Sequence, residues 1–164
     1  GEVTVMEGWV IVTLTVFDVN GKLLLKFGKR GDGDGEFNYP THIFVGDQDL
    51  IYVSDTLNSR IQIFDLQGGF KRTIGSAGDS SGHFSRAKGV AVDSFGHIYV
   101  VDALFDNVQI FDYEGKYLMN FGERGSSQGE LWLPSGITID KNNYIYVADS
   151  YNKRISVFRY AGGE

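Results

Sequence analysis

The sequence predicts an all-β fold assembled from repeated four-stranded antiparallel sheets, and three observations carry that expectation. First, the chain matches itself without a gap at an offset of 47 residues. Gly28, Gly75 and Gly122 coincide, as do Phe37, Phe84 and Leu131; Tyr52, Tyr99 and Tyr146; Asp55, Asp102 and Asp149; and Ile61, Val108 and Ile155. A fixed period of this size is the mark of a repeat architecture. Second, each period holds short runs of alternating apolar and polar residues separated by turn signals, with no helical spacing. Third, the residues suit short strands and tight turns: twelve Phe, nine Tyr and 22 Gly against two Pro, the latter (Pro40 and Pro134) two periods apart at one phase.

The elements follow in order. Residues 13–27 match only the back half of a period. Phe17-Asp18 aligns with Phe64-Asp65 and Gly21 with Gly68. Thr13–Asp18 reads as a strand, Asn20-Gly21 as a hairpin turn and Leu23–Phe27 as the returning strand. Gly1–Val12 lacks the repeat signature and reads only as extended, Val-rich chain. Repeat 1, residues 28–74, opens with the Gly-rich linker Gly28–Tyr39, ended by Pro40. Strands are expected at Thr41–Val45, Leu50–Ser54, Arg60–Asp65 and Phe70–Ile74, with Thr56–Ser59 as a loop. Repeat 2 (residues 75–121) and repeat 3 (122–164) use the same grammar, and repeat 3 stops after its third strand. Four antiparallel strands per period, repeated, is the grammar of a β-propeller blade, so residues 1–164 read as one propeller module. In such a meander the linker and the loop from strand two to strand three share one end, the linker face. The other two turns lie at the opposite face.

Composition narrows the function classes. Hydrophobic content of 42% and charged content of 22% describe a globular chain. There is no cysteine, hence no disulfide framework and no thiolate metal site. No run approaches a membrane span. The first 16 residues lack the basic start and small-residue cleavage site of a signal peptide, although one could have been removed earlier. Net charge is −6. The linker face offers Lys29, Arg30, Arg60, Arg86, Lys88, Arg124, Lys153 and Arg154 against ten carboxylates, and the opposite face is more acidic still. Nucleic-acid binding by counterion release needs a basic track, and this chain has none.

Two stretches carry a family resemblance. Gly28–Phe64 and Gly122–Phe158 both read Gly-x-x-Gly-x-x-x-Gly-Glu-(Phe/Leu)-x-x-Pro, then Ile-Tyr-Val-x-Asp-x-x-Asn-x-Arg-Ile-x-(Ile/Val)-Phe. This resembles the NHL repeat over about residues 17–160. The middle copy departs from it: Ala87 replaces Pro, Phe105 replaces the loop Asn and Asn107 replaces Arg. The resemblance implies a β-propeller, usually six-bladed. Three repeats cannot close a ring, since propellers typically take four to eight blades. Either the chain is a piece of a longer propeller, or two chains close a six-bladed ring as a homodimer in which Leu23–Phe27 of one completes the last blade of the other. An open piece would expose apolar flanks and strand edges. Without coiled-coil or RING-like segments, the domain style resembles bacterial members of the family, which suggests an extracytoplasmic site.

The candidate site residues lie in the loops of the linker face. Asp55, Asn58 and Arg60, and again Asp149, Asn152 and Arg154, form the Asp-x-x-Asn-x-Arg loops. Their structural role is to fix the loop: Asn tolerates a left-handed turn, and Arg pairs with Asp or bonds carbonyls. Their functional role would be to present side chains to a partner. Leu57, Leu104 and Tyr151 share one phase and would form an apolar arc, with Phe105 beside Leu104. Such anchors set among polar residues look like interface hot spots. The alternative is that they pad the space between blades. Gly31-Asp32-Gly33-Asp34-Gly35-Glu36 invites a calcium site but lacks the remaining EF-hand spacing. His42 starts a strand near the channel mouth, where Gly89 and Gly136 stand in the other repeats. It is the best single polar candidate, yet His42, His83 and His97 occupy phases that do not converge on one zinc ion. No nucleophile elbow, phosphate loop or dinucleotide fingerprint appears.

The expected function is a non-enzymatic scaffold that binds a protein partner through the linker face, without cofactor or metal, and self-associates. The runner-up is a six-bladed-propeller enzyme of lyase or lactonase type with a channel metal, as the resemblance allows. An RNA-binding module ranks third.

Overall fold

The computed structural model describes residues 12–46 and 48–160; the expectation for Gly1–Val12 lies almost wholly outside them. Fifteen strands occur among the described residues. A hairpin, β1 (Leu14–Phe17) and β2 (Leu23–Phe27), is followed by two short linker strands, β3 (Lys29–Arg30) and β4 (Glu36–Phe37). Blade 1 comprises β5 (Pro40–Val45), β6 (Leu50–Asp55), β7 (Arg60–Asp65) and β8 (Phe70–Ile74). Blade 2 comprises β9 (Ala87–Val92), β10 (Ile98–Asp102), β11 (Asn107–Phe111) and β12 (Tyr117–Phe121). Blade 3 has β13 (Ile137–Ile139), β14 (Tyr144–Asp149) and β15 (Arg154–Arg159). In each blade neighbours in sequence are neighbours in the sheet, all antiparallel. This all-β propeller-blade architecture is the one the period predicts.

The blades stack face to face, and their burial patterns record how many neighbours each has. All five residues of β10 are buried, because blade 2 is covered on both sides. Strand β15 alternates between half-buried and exposed, because among the described residues blade 3 is covered on one side only. Among the described residues three apolar cores fill the interfaces. Tyr52, Ile61, Ile63, Ile98 and Val100 pack between blades 1 and 2. Val101, Val108, Ile145 and Val147 pack between blades 2 and 3. Val53 and Phe64 take Leu14 and Phe27 of the hairpin.

Each linker inserts one anchor into its interface: Phe37, Phe84 and Leu131, all fully buried. The glycine that opens the linker makes room for it. At Gly75, with φ of 74°, an added Cβ would stand 2.2 Å from Phe84. Beyond expectation, each linker also closes on itself in parallel pairing: β3 with β4, Ala77 with Phe84, and Arg124 with Leu131. The loop expected at Thr56–Ser59 contains a 3-10 turn, Thr56–Asn58. Inner strands approach closely enough that Gly89 N–H donates to Ser135 C=O at 2.8 Å.

The opposite face owes its acidity to turn chemistry. Asp18, Asp65, Asp93 and Asp140 each accept two backbone N–H bonds across a turn. In two blades the second oxygen also accepts a tyrosine hydroxyl, Tyr99 on Asp93 at 3.0 Å and Tyr146 on Asp140 at 3.2 Å.

The β1–β2 hairpin sits on blade 1 as the outer half of a preceding blade. Leu23–Phe27 already has a partner, along Leu14↔Phe27 to Phe17↔Leu23. Leu14–Phe17 stands at the repeat phase of Ile155–Phe158, within β15. Completing another chain's last blade with Leu23–Phe27 therefore means exchanging one third strand for another.

Candidate functional site: the linker face

The loops of the linker face are built around three buried carboxylates at the ends of β6, β10 and β14. Asp55 accepts from Asn38 N–H at 2.6 Å, Asn58 Nδ2 at 2.8 Å, Arg60 Nε at 2.9 Å and Gln62 Nε2 at 3.1 Å. Its donors reach onward into the linker. Asn58 Nδ2 also donates to Gly31 C=O, and Arg60 Nη2 to Gly33 and Glu36 C=O. Asp149 is held alike by Trp132 N–H, Asn152 Nδ2 and Arg154 Nε, and Arg154 donates to the carbonyls of Ser126, Ser127 and Glu130. Burial works to raise the Asp149 pKa, but the bonds from Asn152, Trp132 and Arg154 outweigh it and hold the carboxyl below its ordinary value. Loop tips take left-handed backbone at Ser59, Asp106 and Lys153.

The predicted residues thus separate into two groups. Asn58, Arg60, Asn152 and Arg154 are half-buried and spend their donors on the linker. Leu57, Leu104 and Tyr151 stand exposed, at 54%, 49% and 57%, with Phe105 half-buried beside Leu104. The rigid hub and the exposed arc are therefore neighbours in sequence with different work.

The structure adds residues that no motif marked. Tyr39 and Leu133 are exposed on the same face, and both adopt positive φ (62° and 47°) immediately before Pro40 and Pro134. Large side chains rarely adopt this conformation. Trp132 stacks on Tyr151 with centroids 4.1 Å apart, and the Arg124 guanidinium lies 5.2 Å over the Trp132 ring. The Trp-Leu pair replacing Asn38-Tyr39 was the available signal; positive φ at non-glycine residues leaves none.

Blade 2 lacks the hub's basic half. Among the described residues Asp102 accepts only backbone N–H bonds, from Ser85, Arg86, Leu104 and Phe105 at 2.7–3.2 Å.

The remaining candidates are dispersed. His42 Nδ1 lies 3.0 Å from Thr41 Oγ1 in a cavity of about 290 Å³ facing β1. Burial, then the Lys88 charge, pushes its pKa down. His83 Nδ1 is 3.1 Å from Ser80 Oγ, and His97 Nδ1 is 2.9 Å from Asp93 Oδ2. In the Gly31–Glu36 stretch, Glu36 is engaged by Gly33 N–H and Lys29 Nζ. Among the described residues no three His, Cys, Asp or Glu side chains gather as a metal site, and no helix is long and apolar enough to cross a membrane.

Comparison with known proteins agrees with this architecture. The DUF5128 family, described as a 6-bladed beta-propeller, matches residues 47–105 and 92–164. No curated protein matches the sequence. Among solved structures, hydrazine synthase from Kuenenia stuttgartiensis is similar with a TM-score of 0.68 at 13% identity, over 96% of this chain and 54% of that one. A catalytically inactive virginiamycin B lyase from Staphylococcus aureus, with quinupristin, gives 0.62 at 13% identity, over 92% and 49%. A structural genomics protein from Bacteroides thetaiotaomicron gives 0.60 at 21% identity, over 73% and 35%. At these identities the likeness is one of fold. The chain spans about half the length of the first two proteins and about a third of the last.

Proposed function

The chain belongs to the 6-bladed beta-propeller family, and from that premise we propose that it is a non-enzymatic module of NHL-type repeats that binds a protein partner through its linker face and associates with a second copy to complete the ring. One observation carries the docking role: Tyr39, Leu57, Leu104, Leu133 and Tyr151 are all exposed on one face, above loops held by buried aspartates, which pair with Arg in blades 1 and 3 and with backbone N–H groups in blade 2. A rigid scaffold presenting aromatic and aliphatic anchors suits recognition with little ordering cost.

A different surface supports self-association. Ile155 and Val157 on β15 are 62% and 54% exposed, whereas their repeat counterparts Ile61, Val108, Ile63 and Ile110 are buried between blades. At the other flank Ile43 is 57% exposed, and its counterpart Val90 is buried. These positions are built to be covered by a neighbouring blade, and a second copy offers the complementary flank.

The enzyme alternative has less support. The ring Nδ1 atoms of the three histidines, His42, His83 and His97, lie within hydrogen-bond distance of Thr41, Ser80 and Asp93 respectively. Stoichiometric zinc or calcium in the purified protein would overturn this ranking. The docking role is tested by affinity capture followed by binding measurements on the identified partner. Replacing Leu57, Leu104 and Tyr151 together with Ala is expected to weaken that partner's binding at least a hundredfold while the thermal midpoint holds. Unchanged binding would contradict it.

A further inference from the structure

Blade 2 contains an empty place where blades 1 and 3 each hold a guanidinium. The repeat sets three equivalent positions on the third strand: Arg60, Asn107 and Arg154. Each is the cross-strand partner of the buried aspartate, as Asp55↔Arg60, Asp102↔Asn107 and Asp149↔Arg154. In blades 1 and 3 the guanidinium joins that carboxylate to two or three linker carbonyls. In blade 2 the side chain is too short, and a cavity of about 320 Å³ opens between the third strand and the linker. Its lining includes Asp79, Ser80, Phe105, Asn107 and Gln109.

The groups left behind are acceptors. Asn107 Oδ1 is buried and has no hydrogen-bond partner among the described residues. Asp102, fully buried, has no cationic partner among the described residues, although both counterparts do. Ser80 C=O and His83 C=O take the places of Gly33 and Glu36 C=O; Ser80 C=O accepts His83 N–H at 3.0 Å, and among the described residues His83 C=O accepts only Gln109 Nε2, at 2.7 Å. Asp79 adds an exposed carboxylate at the mouth. Asp102 keeps its four backbone N–H donors and lies outside the cavity's lining, so the acceptor that is costly to leave unpaired is the Asn107 amide oxygen. The planar, five-donor guanidinium is the group that satisfies such a set, and the neighbouring blades show it doing so.

We propose that this cavity in blade 2 is a binding site for a guanidinium group, supplied in trans by an arginine side chain of a protein partner. Its source rests on the docking role above; recognition of the guanidinium does not, and is tested without any partner. The lysine ammonium, a compact charge without the fork, fits the same acceptors poorly.

The test titrates N-acetyl-arginine amide, and in parallel N-acetyl-lysine amide, into the whole chain while side-chain amide resonances are followed by NMR. The arginine compound is expected to shift Asn107 and Gln109 saturably, and the lysine compound to bind at least tenfold more weakly. Asn107→Arg fills the place from within and is expected to abolish the response. Should that variant not fold, Asp79→Asn at the exposed mouth is expected to weaken binding several-fold. No saturable response, equal affinity for the two amides, or binding undiminished in the folded variants would overturn the proposal. Those results would leave the apolar arc's docking role standing, because its own test uses Leu57, Leu104 and Tyr151.

Discussion

At the scale of single residues, one aspartate per repeat does different work according to its neighbours. Asp55 is fully buried and the Arg60 side chain 11% exposed, and removing one partner of such a pair strands a charge. Arg60→Ala is therefore expected to cost about 3 kcal/mol, read as a lower urea midpoint. Asn107→Ala, at the same phase, removes an already unpaired oxygen and is expected to cost about 1 kcal/mol or less. Equal losses would mean the hub is not what locks the loops. His42 gives a pH prediction. Burial and Lys88 hold its pKa below the ordinary value of about 6.5, so the fold favours the neutral ring. Stability is then full above that ordinary value and falls as pH drops from it toward the lowered folded pKa. His42→Gln is expected to flatten this part of the stability profile, and an NMR titration midpoint at or above 6.5 would refute the cause. The hub aspartates were legible as a motif, but its meaning was not. Sequence showed Asp, Asn and Arg at loop spacing, which suits either a presented surface or an internal staple. Only the carbonyls of residues 24–28 positions earlier, met in three dimensions, decide for the staple.

At the scale of elements, inner strands are spaced by small residues. An added Cβ at Gly89 would stand 2.8 Å from Ile137 N and 2.9 Å from Ser135 O, both backbone. Gly89→Ala must push β9 and β13 apart and is expected to cost about 1–3 kcal/mol. Its effect should show as faster hydrogen exchange at Gly89, whose N–H bonds Ser135; an unchanged exchange rate would show that the strands do not depend on this contact. The strands themselves were readable, because alternation and turn residues are local. Pro40–Val45 and Leu50–Asp55 differ from expectation by one residue at an end. The parallel bridges inside the linkers were not readable. They join segments of two residues or fewer, too short to show a period, and depend on the glycine that lets Phe84 or Leu131 turn inward.

At the scale of the whole molecule, faces are buried where a blade has a neighbour and exposed where it lacks one. Blade identity was legible from the period alone. How the circle closes was not, because a repeat specifies its neighbour's shape without specifying which chain supplies it. The flank residues narrow this: Ile155 and Val157 should behave as interface residues, and a double replacement with Lys should leave each blade folded but block association. Sedimentation equilibrium of the purified chain tests the account most directly. It is expected to give twice the 18.2 kDa chain mass, falling to 18.2 kDa in the Ile155→Lys, Val157→Lys variant with its β-rich spectrum intact. A monodisperse 18.2 kDa particle for the unaltered chain, with both apolar flanks open to water, would contradict it.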